Sequence, residues 1–81
     1  MMIIEIKIPV IDKHADEYHV FQWLKENGAL IKKDEDLVEI ESDLETYIIP
    51  ADEDGILEIV AQEGTYIKPD DVLYNIITAD K

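Results

Sequence analysis

The sequence predicts an all-β fold, a flattened barrel or sandwich made of two small facing sheets. Three observations carry that prediction. Apolar residues recur with a period of two rather than 3.6. The three prolines, Pro9, Pro50 and Pro69, fall at or beyond the ends of the alternating stretches, where a missing N–H is tolerated. A stretch of the chain also recurs thirty-six positions further on.

The elements follow in order. Ile4, Ile6 and Ile8 alternate with Glu5 and Lys7, which predicts a first strand ended by Pro9. The next seven residues, Val10 to Asp16, read as a loop. The segment from Glu17 to Glu26 is the best helical candidate, but Val20, Phe21 and Trp23 are β-formers and Gly28 soon ends it, so a strand is predicted. Val38 and Ile40 alternate with Glu39 and Glu41. They lead into the polar tip Ser42-Asp43-Leu44-Glu45, and a second alternating stretch runs out to Pro50. A bare leucine is out of place there, because short hairpin tips usually hold polar residues or glycine. Leu57 and Ile59, between Ile56, Glu58 and Val60, predict a further strand.

The repeat sets residues 28–40 over 64–76. Glycine, isoleucine, lysine, aspartate, leucine and isoleucine recur in step, and upstream Val20 to Leu24 lies over Ile56 to Val60. Each half reads strand, glycine turn, short strand, acidic turn, strand. Gly28 and Gly64 suit turn positions with positive φ. A unit this small cannot bury its own apolar face, but two facing units can. A single domain over residues 1–81 is expected, with half-repeats at about 20–40 and 56–76. The expected core comprises Ile6, Ile8, Trp23, Val38, Ile40, Ile49, Leu57, Ile59, Leu73 and Ile76.

Composition narrows the partners. Twenty Asp and Glu stand against seven Lys and no Arg, for a net charge of −13. Nucleic acid and anionic membranes are poor partners for such a chain, since both are held through cations. No cysteine is present, so disulfides and thiolate metal sites are excluded, as suits a reducing compartment. Glu5 and Lys7 break the N-terminal apolar run too early for a signal-peptide core, and a cytoplasmic location is expected.

The chain resembles a lipoyl domain of the biotinyl/lipoyl-carrier family, as found in 2-oxo acid dehydrogenase acyltransferases. Ile6-Lys7-Ile8-Pro9 is similar to the family's first strand and proline. Trp23-Leu24, Gly28, Ile31, Lys32-Lys33 and Leu37 match in spacing. Glu39-Ile40-Glu41-Ser42-Asp43 resembles the strand into the lipoylation turn, and Thr46, Ile49-Pro50-Ala51 and Gly55 the strand out of it. Glu63-Gly64, Ile67 and Leu73 close the second half. The resemblance implies two roughly four-stranded antiparallel sheets with quasi-twofold symmetry. It places the termini in one sheet and the Asp43–Leu44 hairpin at the far end of the other.

The departure falls at the family's working residue. The resemblance puts the lipoyl-lysine at position 44, and Leu44, flanked by Asp43 and Glu45, has no nitrogen to acylate. No cofactor is expected, and lipoate only if position 44 were lysine. The loop Val10-Ile11-Asp12-Lys13-His14 also differs from the family's glycine-containing turn, which the resemblance implies is a partner contact. The segment from Gly55 to Ile59 is one residue shorter than in the family, which suggests a changed bulge. Two functions are expected in turn: a non-catalytic structural or protein-interaction module of a larger enzyme or complex, or a lipoyl acyl-carrier domain whose lysine is replaced. Partners would be proteins or parent enzyme domains.

Other chemistry reads weakly. His14, Asp16, Glu17 and His19 are metal-ligand types, but in a loop and strand they fit no helical zinc spacing. Ser42 beside Asp43 lacks a histidine nearby in sequence and reads as a turn serine. Asp52-Glu53-Asp54-Gly55 lacks the alternating ligands of a calcium loop. Trp23 reads as core by its alignment with Ile59. With Tyr18, Tyr47, Tyr66 and Tyr74 it is the alternative candidate for a binding surface. No catalytic constellation is present, so no enzymatic activity is expected.

Overall fold

The computed structural model describes residues 1–9, 14–43 and 45–79. The expectations placed on Val10, Ile11, Asp12, Lys13 and Leu44 lie outside the described residues. The strands are β1 (Met2–Lys7), β2 (Tyr18–Trp23), β3 (Leu30–Ile31), β4 (Asp36–Glu41), β5 (Thr46–Pro50), β6 (Gly55–Ile59), β7 (Tyr66–Ile67) and β8 (Val72–Thr78). They form two four-stranded antiparallel sheets, in the orders β1-β8-β6-β3 and β5-β4-β2-β7. The body is 41 Å long and about 20 Å across. The segment at Glu17–Glu26 forms a strand, because β-branched and aromatic side chains pack on a pleated, half-buried surface.

The two strand orders exchange under one twofold operation: β1 with β5, β8 with β4, β6 with β2, β3 with β7. The backbone obeys it closely. Gly28 and Gly64 have φ of 88° and 86°, and Asp34 and Asp70 have φ of 73° and 80°. The acidic turns repeat as well. Lys32 N–H donates to Glu35 at 2.8 Å, and Lys68 N–H donates to Asp71 at 2.9 Å.

Bulges decide which residues reach the core. β4 slips register between Asp36 and Val38, and β8 slips at the matching place, between Val72 and Tyr74. The extra residues, Leu37 and Leu73, are buried beside Val38 and Tyr74 rather than alternating with them. β2 carries a further slip at Phe21, so Val20 and Trp23 both face inward although three positions separate them. β6 pairs with β8 without any slip. The two halves therefore differ by one bulge, present in β2 and missing from β6.

The core lies between the sheets. Ile8, Trp23, Val38, Ile40, Leu57, Leu73 and Ile76 are buried as expected, and Ile6, Ile49 and Ile59 pack partly buried against them. Two tyrosines are corrections. Tyr18 and Tyr74 are among the largest fully buried side chains and form no binding surface. Tyr74 can be buried because its hydroxyl accepts a hydrogen bond from Asp52 N–H at 3.2 Å. Burial pushes the Tyr74 phenol above its ordinary pKa. Its ring meets Trp23 edge-on, with centroids 6.0 Å apart.

Candidate functional site at the β4–β5 hairpin

The hairpin is built by alternation and closed by a local bond. Ile40 pairs with Tyr47 and Glu41 with Thr46, after which Ser42 N–H donates to the Glu45 carbonyl at 2.9 Å. That bond closes the turn between the two strands. Asp43 and Glu45 are exposed. Ser42 Oγ donates to the Glu45 carbonyl at 3.5 Å, which is the turn-serine role.

Beside the tip is a polar hollow of about 180 Å³, lined by Glu17, His19, Glu41, Ser42, Asp43 and Tyr66. Three of these, Glu41, His19 and Tyr66, belong to one cross-strand row that with Thr46 runs through all four strands of the sheet. His19 Nδ1 lies 3.2 Å from a Glu41 carboxylate oxygen, and its ring centroid is 4.8 Å from that of Tyr66. The histidine is thereby held between a carboxylate and a phenol ring, and its other nitrogen is turned away from Glu41. The hollow holds one imidazole in place and offers three carboxylates, those of Glu17, Glu41 and Asp43. Among the described residues no lysine lines the hollow.

Sequence reasoning singled out His19 only as a metal-ligand type, together with His14, Asp16 and Glu17. Among the described residues no three His, Asp or Glu side chains converge to hold a metal ion. His14, Asp16 and Glu17 are exposed, whereas His19 is half-buried on the hairpin's sheet. The pairing with Glu41 and Tyr66 was missed because the Phe21 bulge displaces β2 by one residue, so the repeat does not align His19 with its counterpart. The acidic turn at Asp52–Gly55 is structural: Asp54 accepts from Lys33 N–H at 2.8 Å.

Comparisons with known proteins bear on the family and the fold. The family model described as "Biotin-requiring enzyme" (Biotin_lipoyl) matches residues 4–76. The dihydrolipoyllysine-residue succinyltransferase component of the 2-oxoglutarate dehydrogenase complex of Haemophilus influenzae is 37% identical over 81 residues, which is 99% of this chain and 20% of that protein. Its counterpart in Cupriavidus necator is 30% identical over 79 residues, 96% of this chain and 19% of that one. The chain therefore spans about a fifth of the length of the curated relatives it matches. The solution structure of the lipoyl domain of the 2-oxoglutarate dehydrogenase complex from Azotobacter vinelandii superposes with a TM-score of 0.77 at 31% identity, covering 95% of this chain and 99% of that one.

Proposed function

Because the chain belongs to the biotin/lipoyl domain family, we propose that it is a lipoyl-type module that works by contacting protein rather than by carrying an acyl group. The single observation behind this reading is Leu44. By the resemblance, Glu41 and Asp43 precede the lipoyl-lysine's place and Thr46 follows it, and Glu41 pairs with Thr46 across the β4–β5 hairpin. The leucine at position 44 has no amine, so lipoate does not fit there and no acyl-transfer step is routed through it. The partners would be other domains of a 2-oxo acid dehydrogenase-type component, or a protein docking at the hairpin and at residues 10–14, in the cytoplasm. Nucleic acid and membrane are not partners on this reading, and the module itself does no catalysis.

A second reading has specific support. The succinyltransferase relatives match nearly the whole chain, so a carrier domain whose lysine is replaced at position 44 accounts for the same scaffold. The codon for position 44 in the parent gene separates the two, since a lysine there decides for the carrier. A mass experiment tests both. Incubated with lipoyl ligase, ATP and lipoate, the protein is expected to keep its unmodified mass, and Leu44→Lys is expected to gain one lipoyl group. A gain by the unmutated chain would mean that another lysine is read and would remove the basis of the proposal. If Leu44→Lys stays unmodified beside a fully modified lipoyl domain, the hairpin does not present its tip as the family's does.

A further inference from the structure

The twofold operation that relates the sheets carries the hairpin row onto an equivalent row in the other sheet. Thr46, Glu41, His19 and Tyr66 correspond to Ile3, Ile77, Ile56 and Leu30, which are cross-strand neighbours on β1, β8, β6 and β3. One row is polar and the other wholly aliphatic. The aliphatic row lies on the outer face, with Ile3 56%, Ile56 41% and Leu30 80% exposed. The fold does not require apolar side chains there, because the same four places in the opposite sheet are filled by a threonine, a carboxylate, an imidazole and a phenol. The row also spans the whole width of its sheet, from the edge strand β1 to the edge strand β3. A contiguous exposed apolar strip on so acidic a surface marks an interaction site.

Charge and geometry choose the occupant. Glu5 and Glu58 stand one residue pair along the strands on one side of the row, facing Asn75 between them. Glu53 and Asp54 border it on the other side, with Lys33 as the cation nearby. A second copy would bring a net charge of −13 against another of −13, which opposes self-association. A strand added at either edge would reach Ile3 or Leu30 but not both. Three inter-strand steps make the row about 14 Å long, and an α-helix of about three turns covers that length. We propose that this face docks a basic amphipathic helix of another protein. Its apolar stripe at i, i+3, i+4 and i+7 lies along Ile3–Ile77–Ile56–Leu30, and its Lys and Arg flank the stripe toward Glu5 and Glu58 on one side and Glu53 and Asp54 on the other. This surface lies on the opposite sheet from the hairpin, and the proposal is independent of what Leu44 does.

The test is a titration of the isotope-labelled protein, followed by amide NMR shifts, with three synthetic helical peptides. The first carries a leucine stripe flanked by lysines, the second replaces the leucines with serine, and the third keeps the leucines and replaces the lysines with glutamate. The expected result is saturable binding of the first peptide only, with shifts on Ile3, Ile56 and Ile77 and none on His19 or Tyr66. Leu30→Ser and Ile56→Ser are expected to weaken it about tenfold, whereas Tyr66→Ser, the equivalent change in the other row, leaves it unchanged. Equal binding of the serine peptide would reduce the effect to bulk charge and overturn the proposal. Shifts centred on the Tyr66 row, or variants that bind as the parent does, would overturn it too. So would a dimer in sedimentation that Leu30→Ser dissolves, since a second copy would then own the face. Should Ile56→Ser lose the dispersed spectrum of the fold, Leu30→Ser, at a far more exposed position, decides alone.

Discussion

The indole Nε1–H of Trp23 donates to the carbonyl oxygen of Ala61 at 2.8 Å, a bond from the end of β2 to the segment leaving β6 in the opposite sheet. The same residue's backbone N–H donates to Glu63 at 2.9 Å. The Trp23–Ala61 bond is buried, so Trp23→Phe deprives Ala61 of its donor without offering water access. A loss of about 1–3 kcal/mol is expected. It reads as a lower urea midpoint by far-ultraviolet circular dichroism at unchanged m. A midpoint within error of the parent's would mean that the indole bond adds nothing.

Gly55 is required for space. A Cβ there would meet Ile76 Cγ2 at 2.5 Å and the Ile77 carbonyl oxygen at 2.7 Å, and the latter belongs to the backbone of the central strand β8. Gly55→Ala is expected to cost about 1–3 kcal/mol through displaced backbone. Gly28 has open space around it, and its demand is the positive φ of 88°. Gly28→Ala is expected to cost about 1–2 kcal/mol from left-handed strain alone. Denaturant midpoints of both variants check the pair. In the crowded case a shift of the β8 amide resonances accompanies the loss, and in the strained case it does not.

Glu35 ties acid stability to the first acidic turn. Its carboxylate accepts from Lys32 N–H at 2.8 Å, and this bond is the main reason its pKa falls below the ordinary value of 4.5. Partial desolvation opposes the shift, and Lys25 at 3.4 Å assists it. A depressed carboxylate pKa means that the native state holds the proton less tightly than the unfolded chain. The turn's contribution is therefore present above about pH 4.5 and is lost as pH falls through the lowered value. Glu35→Gln is expected to lower the thermal midpoint at neutral pH and to converge on the parent as pH falls through the lowered value. A gap that stays constant with pH would show that charge on Glu35 is not involved.

Much of this architecture was legible because the repeat carries its own register. Two glycines and two acidic turns at one offset predict two equal halves, and the backbone angles at Asp34 and Asp70 agree. The bulges were not legible. Alternation alone makes Leu37 and Leu73 face opposite to Val38 and Tyr74, yet all four are buried. The sequence leaves Tyr18 and Tyr74 among the candidates for a binding surface, since it does not show that Asp52 N–H satisfies the Tyr74 hydroxyl. The hairpin was legible from its two alternating arms. The His19–Glu41–Tyr66 row beside it was hidden, since its members come from three strands and one of them sits ahead of a bulge.

Met2 pairs with Thr78, so β1 begins where β8 ends, at the place the symmetry assigns to the hairpin between Glu41 and Thr46. A gene rearranged to start at Glu45, run through to residue 79, cross a short flexible link to Met2 and finish at Asp43 encodes a circular permutant. Its strand order, β5-β6-β7-β8-β1-β2-β3-β4, is the natural order relabelled by the twofold. The loops closed during folding then have nearly the same lengths in both chains. The permutant is expected to fold to the same pair of sheets at a similar rate. In that polypeptide the former hairpin tip is a pair of free ends, and the former ends are a covalent turn.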